Sequence, residues 1–329
     1  MLLIVIVNFR VPALVIDCLR SINQELRAVP DTSVVVFENG SGDDSARLIA
    51  KAIASNKWDA WCKLMVSDQN LGFTGGNNIP ISESLKTSTP PCYILLLNPD
   101  TIIRPGALRP LIDFLERNSQ VGIVGSRLED PDGTPQRSAF RFKSPLGELE
   151  GSAGIGFITK LLKRYVVAPP VCSQNLETDW VAGASMMVRT RVFEEIGLLD
   201  EGFFTYYDDI DFCLAARRAG WMTWYVPESR VVHLVGQSTG VDNTPRRLPK
   251  YLLEARRRFY LKNYGALFAL MADTCLLCGI LISKFRSLVT LTPSQLPPKI
   301  FVDSFLSSVF VRGAGIDNVR APETTTQMN

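Results

Sequence analysis

The sequence predicts an α/β fold: a Rossmann-like, mixed but mostly parallel sheet flanked by helices, with a C-terminal helical extension. Three observations carry this. Short apolar runs alternate through the first half with segments whose apolar residues recur every three or four positions. One run, Cys92-Tyr93-Ile94-Leu95-Leu96-Leu97, is apolar almost throughout, as a strand buried on both faces must be. Polar, glycine- and asparagine-rich segments follow the strand ends, where open α/β sheets bind ligands.

Strand patterns run from Leu2 to Val7, Ser33 to Phe37, Lys63 to Val66, Tyr93 to Leu97 and Val121 to Val124. Between the first two, Val15, Cys18, Leu19, Ile22 and Leu26 share one helical face. A second helix spans about Ser45 to Asn56, and a third follows Pro105, a residue suited to a helix's first turn. Residues 130–178, with Pro131, Gly133, Pro135 and Pro169-Pro170, read as an irregular loop near the substrate. A second ordered block from Trp180 to about Val235 holds a strand (Val181 to Val188), a helix (about Asp208 to Ala219) and two short strands around Trp224 and Val232. A basic helix from Pro249 to Tyr264 precedes an apolar stretch from Ala266 to Val289 that Asp273, Lys284 and Arg286 interrupt. The clean part, Thr274 to Ser283, has about half the length of a spanning helix. Three uses stay open for these helices: peripheral contact with an anionic membrane, packing on the domain, or a homodimer interface. After Thr292 the chain reads as a polar, fraying tail.

Composition sets bounds. Of 329 residues, 46% are hydrophobic and 21% charged, which suits a sizeable core. A net charge of +2, from 35 basic and 33 acidic residues, is too balanced to argue for nucleic acid as the main partner, and none is expected. The seven cysteines are scattered through apolar segments and read as inert buried thiols of a reducing compartment. The apolar N-terminus meets Asn8 too soon for a signal peptide or a span. It reads as a first strand, and the expected location is cytoplasmic.

Four segments and one histidine carry chemistry. Glu38-Asn39-Gly40-Ser41 follows a strand, and its carboxylate suits ribose hydroxyls or a base N–H; a plain strand-ending turn is the alternative. Asn70-Leu71-Gly72-Phe73-Thr74-Gly75-Gly76-Asn77-Asn78 reads as a loop that lets backbone approach a ligand, without dinucleotide or P-loop spacing. Asn98-Pro99-Asp100 ends the most apolar strand with oxygen donors for a hard cation, which would offset charge on a departing diphosphate. Asp208-Asp209-Ile210-Asp211 crowds three carboxylates into four positions. Asp208 and Asp211 fit helix capping, which leaves Asp209 as the general-base candidate. His233, the only histidine, alternates against Val232 and Leu234, and imidazole suits manganese-like ions.

Together, residues 2 to 240 resemble the inverting family 2 glycosyltransferases of GT-A fold, nearest to the rhamnosyltransferase-like branch that builds bacterial surface polysaccharides. The carrying motifs are Ile6-Val7-Asn8-Phe9, Glu38-Asn39-Gly40-Ser41, Asn70-Leu71-Gly72-Phe73 with Gly75-Gly76-Asn77-Asn78, and Leu97-Asn98-Pro99-Asp100. They continue with Trp180-Val181-Ala182-Gly183-Ala184, Asp200-Glu201 with Phe203-Phe204, Asp208-Asp209-Ile210-Asp211 and His233. The resemblance implies a nucleotide-diphosphate sugar donor, with dTDP-rhamnose the best match, a glycan or lipid-linked saccharide acceptor, and Mg²⁺ or Mn²⁺. It assigns Asp209 as catalytic base and Asp100, His233 and Asn98 to the metal. Asn8, Glu38, Asn70, Gly72, Gly76, Asn77, Asn98 and Asp100 go to the nucleotide sugar. Trp180, Gly183, Ala184, Asp208 and Asp211 go to the acceptor or its support. It divides the chain into a nucleotide-sugar half (1–128), an acceptor and catalytic half (129–245), C-terminal helices (246–292) and a tail (293–329). Three departures stand out: Asn98 replaces an acidic residue, Asp208 the usual Glu, and Glu38 the usual Asp. Two competing readings are a catalytically silent nucleotide-sugar-binding protein on the same fold and a sugar nucleotidyltransferase. Asn8-Phe9-Arg10, directly after the first strand, lacks the glycine- and basic-rich loop the latter needs.

Overall fold

The computed structural model describes residues 1–234, 247–292 and 296–320. In chain order the elements of the first half are β1 (Leu2–Asn8), α1 (Pro12–Glu25), β2 (Thr32–Asn39), α2 (Ser45–Ser55), β3 (Cys62–Ser67), α3 (Gly72–Leu85), β4 (Tyr93–Leu97), β5 (Thr101–Ile103), α4 (Leu108–Arg117) and β6 (Val121–Glu129). Then come β7 (Ala139–Phe140), α5 (Pro145–Ala153), α6 (Gly156–Leu161), β8 (Leu176–Thr178), β9 (Trp180–Val181), β10 (Ser185–Arg189), α7 (Thr190–Ile196), α8 (Asp208–Arg218) and β11 (Met222–His233). The chain continues through α9 (Lys250–Thr290), α10 (Ile300–Ser307) and α11 (Val309–Arg312). It divides into two compact units, one of residues 1–140, 170–200 and 212–242, the other of residues 141–169, 201–211 and 243–329. The expected boundary at 245/246 and the end of the second block at Val235 lie outside the described residues.

The first unit is built on a nine-stranded sheet in the order β3-β2-β1-β4-β10-β6-β11-β5, with β8 on β11. β3, β2, β1 and β4 are parallel; β10 runs against β4 and β6, and β11 is parallel to β6. This is the mostly parallel sheet that the alternation predicts. The helical face read for α1 packs as expected, with Val15, Cys18, Leu19 and Ile22 wholly buried in the core beneath the sheet. Burial pushes the Cys18 and Cys62 thiols up to about 12, so these two are inert. The expectation of seven buried thiols is too broad: Cys92 and Cys278 are exposed.

Four further readings need correction. Val181 to Val188 is not one strand, since Ala182-Gly183-Ala184 separates β9 from β10. The two short strands around Trp224 and Val232 are one strand, β11, whose register shifts between Val226 and Arg230. Pro227 marks a bulge there rather than an end. The 130–178 segment is not one irregular loop, because it contains β7, α5, α6 and β8. The supposed polar tail contains α10 and α11, whose Ile300 is buried.

The second unit is helical. α9 breaks at Gly265 (φ 80°, ψ 177°). Arg256 and Asp273 sit on opposite sides of that break with N and O only 2.6 Å apart. A straight helix would hold them about 25 Å apart, so the chain folds back at Gly265. Arg256 also meets Glu148 of α5 at 3.1 Å, and Tyr260 donates to the same carboxylate at 2.7 Å. Gly279 lets the second arm lie against α5: a Cβ there would come within 1.9 Å of Ser152 Oγ. The second arm is long and apolar enough, by length and composition, to cross a membrane. Its outward stripe keeps Leu267, Met271, Leu281, Phe285, Leu288 and Val289 exposed.

Candidate active site

The sheet brings together two of the predicted metal ligands. β4 is buried end to end between β1 and β10 and delivers Asn98-Pro99-Asp100 at its carboxyl end. The chain turns into β5, which pairs antiparallel with the end of β11 so that Thr101 lies opposite His233. That register sets His233 Nε2 3.5 Å from Asp100 Oδ1. Asp100 is 1% exposed, and its backbone carbonyl accepts from Leu234 N at 2.9 Å. Asn98 is fixed through its main chain: its N–H donates to Ala184 O at 3.0 Å, and its carbonyl accepts from Thr101 Oγ1 at 2.7 Å.

A carboxylate oxygen and an imidazole nitrogen within one coordination sphere fit a Mg²⁺- or Mn²⁺-type ion. Among the described residues no cluster of three or more His, Cys, Asp or Glu side chains could hold a metal. Two protein ligands would leave room in such an ion's sphere for phosphate and water oxygens, which Mg²⁺ commonly keeps.

The end of β11 is held by residues the sequence reading did not single out. Glu129, fully buried at the end of β6, receives Arg104 Nε at 2.9 Å and Arg230 Nε at 2.9 Å, with Arg127 Nε at 3.5 Å. Burial alone would raise the Glu129 carboxyl; its hydrogen bonds to Arg230 and Arg104 outweigh burial and hold it below the usual carboxylate range. Gln136 Nε2 donates to His233 O at 2.9 Å. In the bulge, Ser229 Oγ joins Ser126 Oγ, and through it Ser185 Oγ, at 2.8 Å each. A buried glutamate beside several arginines in sequence-distant elements leaves no local pattern to read.

Beside this centre lie the ends of β1 and β2. Asn8 and Glu38 are register partners and both are buried. Asn8 Nδ2 donates to Ser41 Oγ at 3.4 Å, and Glu38 Oε1 accepts from Ser41 N at 2.9 Å. Glu38 thus also closes the strand-ending turn. Gly40 has φ 66°, and a Cβ on it would lie 2.4 Å from the Gln69 carbonyl carbon, so only glycine lets the 38–41 and 69–72 segments approach. Asn39 clamps them. Its Nδ2 donates to Gly72 O at 2.9 Å and Asn70 Oδ1 at 3.1 Å, and its Oδ1 accepts from Leu71 N at 2.9 Å.

The 70–78 segment is not the loop expected, because α3 begins at Gly72. A Cβ on Gly76 would meet Val7 Cγ1 at 2.8 Å, so this glycine lets α3 pack on β1. Asn77 donates to Phe73 O at 2.8 Å within the helix, and Asn78 exchanges hydrogen bonds with the Leu199 backbone. Trp180 stacks on Phe140 with ring centroids 4.2 Å apart, and Ala184 touches the centre through its carbonyl to Asn98. Gly183 lies between β9 and β10 in the same unit.

In the second unit, Asp208, Asp209 and Asp211 occupy the first turn of α8, where a helix favours negative charge. Tyr206 and Tyr207 just before it are both left-handed, at φ 64° and 65°, a strained pair for bulky residues. Asp211 is buried and accepts from Lys262 Nζ at 2.6 Å and Asn263 Nδ2 at 2.7 Å, which ties α8 to α9. Burial, and then the neighbouring Asp209 charge, push the Asp208 carboxyl well above its ordinary value. Asp209 Oδ1 accepts from Ile210 N at 2.8 Å.

Residues 2–260 match the family model described as glycosyltransferase like family 2. The N-acetylglucosaminyl-diphospho-decaprenol L-rhamnosyltransferase of Mycobacterium tuberculosis is 27% identical over 222 residues, which cover 64% of this chain and 69% of that protein. Rhamnosyltransferase WbbL of Escherichia coli is 30% identical over 165 residues, 49% of this chain and 60% of that protein. Among solved structures, GalNAc-T7 with UDP, GalNAc and Mn²⁺ superposes with a TM-score of 0.57 at 14% identity, over 96% of this chain and 58% of that one. S. aureus TarS 1-349 does so with 0.55 at 12% identity, over 95% and 79%. By the family match the chain belongs to the family 2 glycosyltransferases, and its likeness to these solved structures gives it the GT-A fold.

Proposed function

We propose that the protein transfers a hexose from a nucleotide-diphosphate donor to a glycan or lipid-linked saccharide with inversion at the anomeric carbon. The observation that carries this is the 3.5 Å approach of Asp100 and His233 at the carboxyl end of β4. L-Rhamnose from dTDP-rhamnose is the preferred donor, a choice supported by the rhamnosyltransferase names among its relatives.

In this reading Asp209 accepts the proton of an acceptor hydroxyl. That oxygen bonds to the anomeric carbon from the face opposite the leaving group. The bond from the anomeric carbon to the diphosphate oxygen breaks, and its electron pair leaves with the nucleotide diphosphate. Asp100 and His233, with Asn98 directly or through water, would hold Mg²⁺ or Mn²⁺, which supplies positive charge for the departing diphosphate. Asn8, Glu38, Asn70 and Gly72 bind the nucleotide sugar, and Gly76 and Asn77 serve it by packing α3. Trp180, Gly183 and Ala184 shape the acceptor side. Asp208, which burial favours in its protonated form, adjoins Asp209 in the first turn of α8, and Asp211 fixes their helix.

The exposed stripe of α9, flanked by Lys284 and Arg286, suits a peripheral seat on the anionic inner face of the cell membrane. Asp209→Asn should abolish transfer while donor binding persists. Near-normal turnover in that variant would remove Asp209 from the mechanism.

A further inference from the structure

The second unit contains a cavity of about 990 Å³ that the proposed chemistry does not use. Its lining sets four cations, Lys250, Arg257, Arg312 and Arg320, against two carboxylates, Glu254 and Asp317. The carboxylates are shared. Asp317 Oδ2 lies 3.3 Å from both Arg257 and Arg312, and Glu254 Oε1 lies 2.9 Å from Arg312 and 3.5 Å from Lys250. The side chain of Arg257 is only 4% exposed, yet its carboxylate partner Asp317 is 61% exposed. Arg257 Nε is buried with no hydrogen-bond partner among the described residues. Its guanidinium leans on the Gly313 carbonyl at 2.5 Å. Burial, and then the like charge of Arg312, make its ionisation harder than usual. A buried cation held beside another cation, whose ion-pair partner Asp317 is shared with Arg312 and solvent-exposed, is completed by an anion that brings its own acceptor oxygens.

Two further features narrow the anion. The cavity wall includes Ile316, 51% exposed, and Phe310 and Val311 are exposed on the neighbouring α11. Tyr251, also lining the cavity, stacks on Tyr206 with centroids 5.9 Å apart, and Tyr206 leads directly into Asp208-Asp209. We infer that this cavity seats the diphosphate of an acceptor carried on an apolar chain, and so presents the acceptor's sugar toward the segment that bears Asp209. This deepens the transferase reading above and rests on it for the acceptor's role.

The test is calorimetric titration of the full chain with geranyl diphosphate, inorganic pyrophosphate and phosphatidylglycerol vesicles. Geranyl diphosphate should bind, and more tightly than pyrophosphate. Arg312→Gln and, on the rim, Arg320→Gln should each weaken it about tenfold to a hundredfold, by loss of charge-assisted hydrogen bonds. Arg257→Lys, which keeps the charge but not the fork, should weaken it too. Equal binding of pyrophosphate would assign the cavity to free phosphates and overturn the proposal. Vesicle binding that is lost in Arg312→Gln, with no response to geranyl diphosphate, would assign it to lipid headgroups and overturn it equally. Unchanged affinity in folded Arg312→Gln and Arg320→Gln would also overturn it. Donor hydrolysis by the wild-type chain is read separately. Its absence removes the transferase reading, whereas a failed titration with hydrolysis intact removes only the cavity assignment.

Discussion

Asn39 should be the side chain on which the donor loop depends, and Asn39→Ala tests this. The residue is 2% exposed and makes three hydrogen bonds across the 39–72 contact, to Gly72 O, Asn70 Oδ1 and Leu71 N. Truncation leaves the Leu71 N–H and the Gly72 carbonyl without this partner. Each such group costs about 1–3 kcal/mol when it stays buried. Leu71 is only half-buried, so water recovers part, and a total of about 2–4 kcal/mol is expected. For a domain of this size that lowers Tm by roughly 5–15 °C. Loosening the 70–72 tip should also weaken nucleotide-sugar binding by about tenfold. Asn39→Asp keeps the acceptor for Leu71 N but loses both donated bonds, and it should fall between wild type and Asn39→Ala in donor affinity. Thermal denaturation and calorimetric titration with donor read the two effects separately. An unchanged Tm would refute the clamp, and a lowered Tm with unchanged donor affinity would refute the loop's place in the donor site.

Asp208 makes a prediction with a definite sign. Its folded-state carboxyl is raised above the ordinary value near 3.8, so the native state holds that proton more tightly than the unfolded chain does. The stability it contributes is complete below about pH 4 and is lost as pH rises through the folded value. Asp208→Asn should therefore gain stability over wild type as pH rises above 4, read by urea melts across pH 4–8; a pH-independent gap would contradict this. Gly40→Ala should cost about 2 kcal/mol or more, because its φ of 66° and the 2.4 Å approach to Gln69 both exclude a Cβ. A Tm matching wild type would show that the two loops can part without cost. Phe285→Gln with Leu288→Gln, at sites 69% and 71% exposed, should lower co-sedimentation with anionic liposomes while leaving Tm within a few degrees. Equal sedimentation would leave that stripe to another partner.

The strands and the first helices were legible because their apolar spacing is local and strong. The end of β4 was legible for the same reason, since five consecutive buried residues stop at Asn98-Pro99-Asp100. His233 could be noticed as a lone imidazole in an alternating run. Its meeting with Asp100 could not be derived, because it depends on the β5–β11 register. α3 was hidden by Gly72, Gly75, Gly76 and Pro80, all weak helix formers. Packing on Val7 overrides propensity there. Pro227 disguised one bulged strand as two. Asn39 looked like an ordinary turn residue, since its three bonds go to a segment some thirty residues away. α10 was missed although Ile300, Phe301, Phe305 and Leu306 recur at helical spacing, because Pro293, Pro297 and Pro298 just before them interrupt the pattern.

The most direct test incubates the full chain with dTDP-rhamnose and a diphosphate-lipid saccharide, with and without Mn²⁺, and reads the product's anomeric configuration by NMR. Release of dTDP only with the ion present, and a product of inverted configuration, is the predicted result. Transfer with retained configuration, or equal transfer after the ion is chelated, would contradict the account.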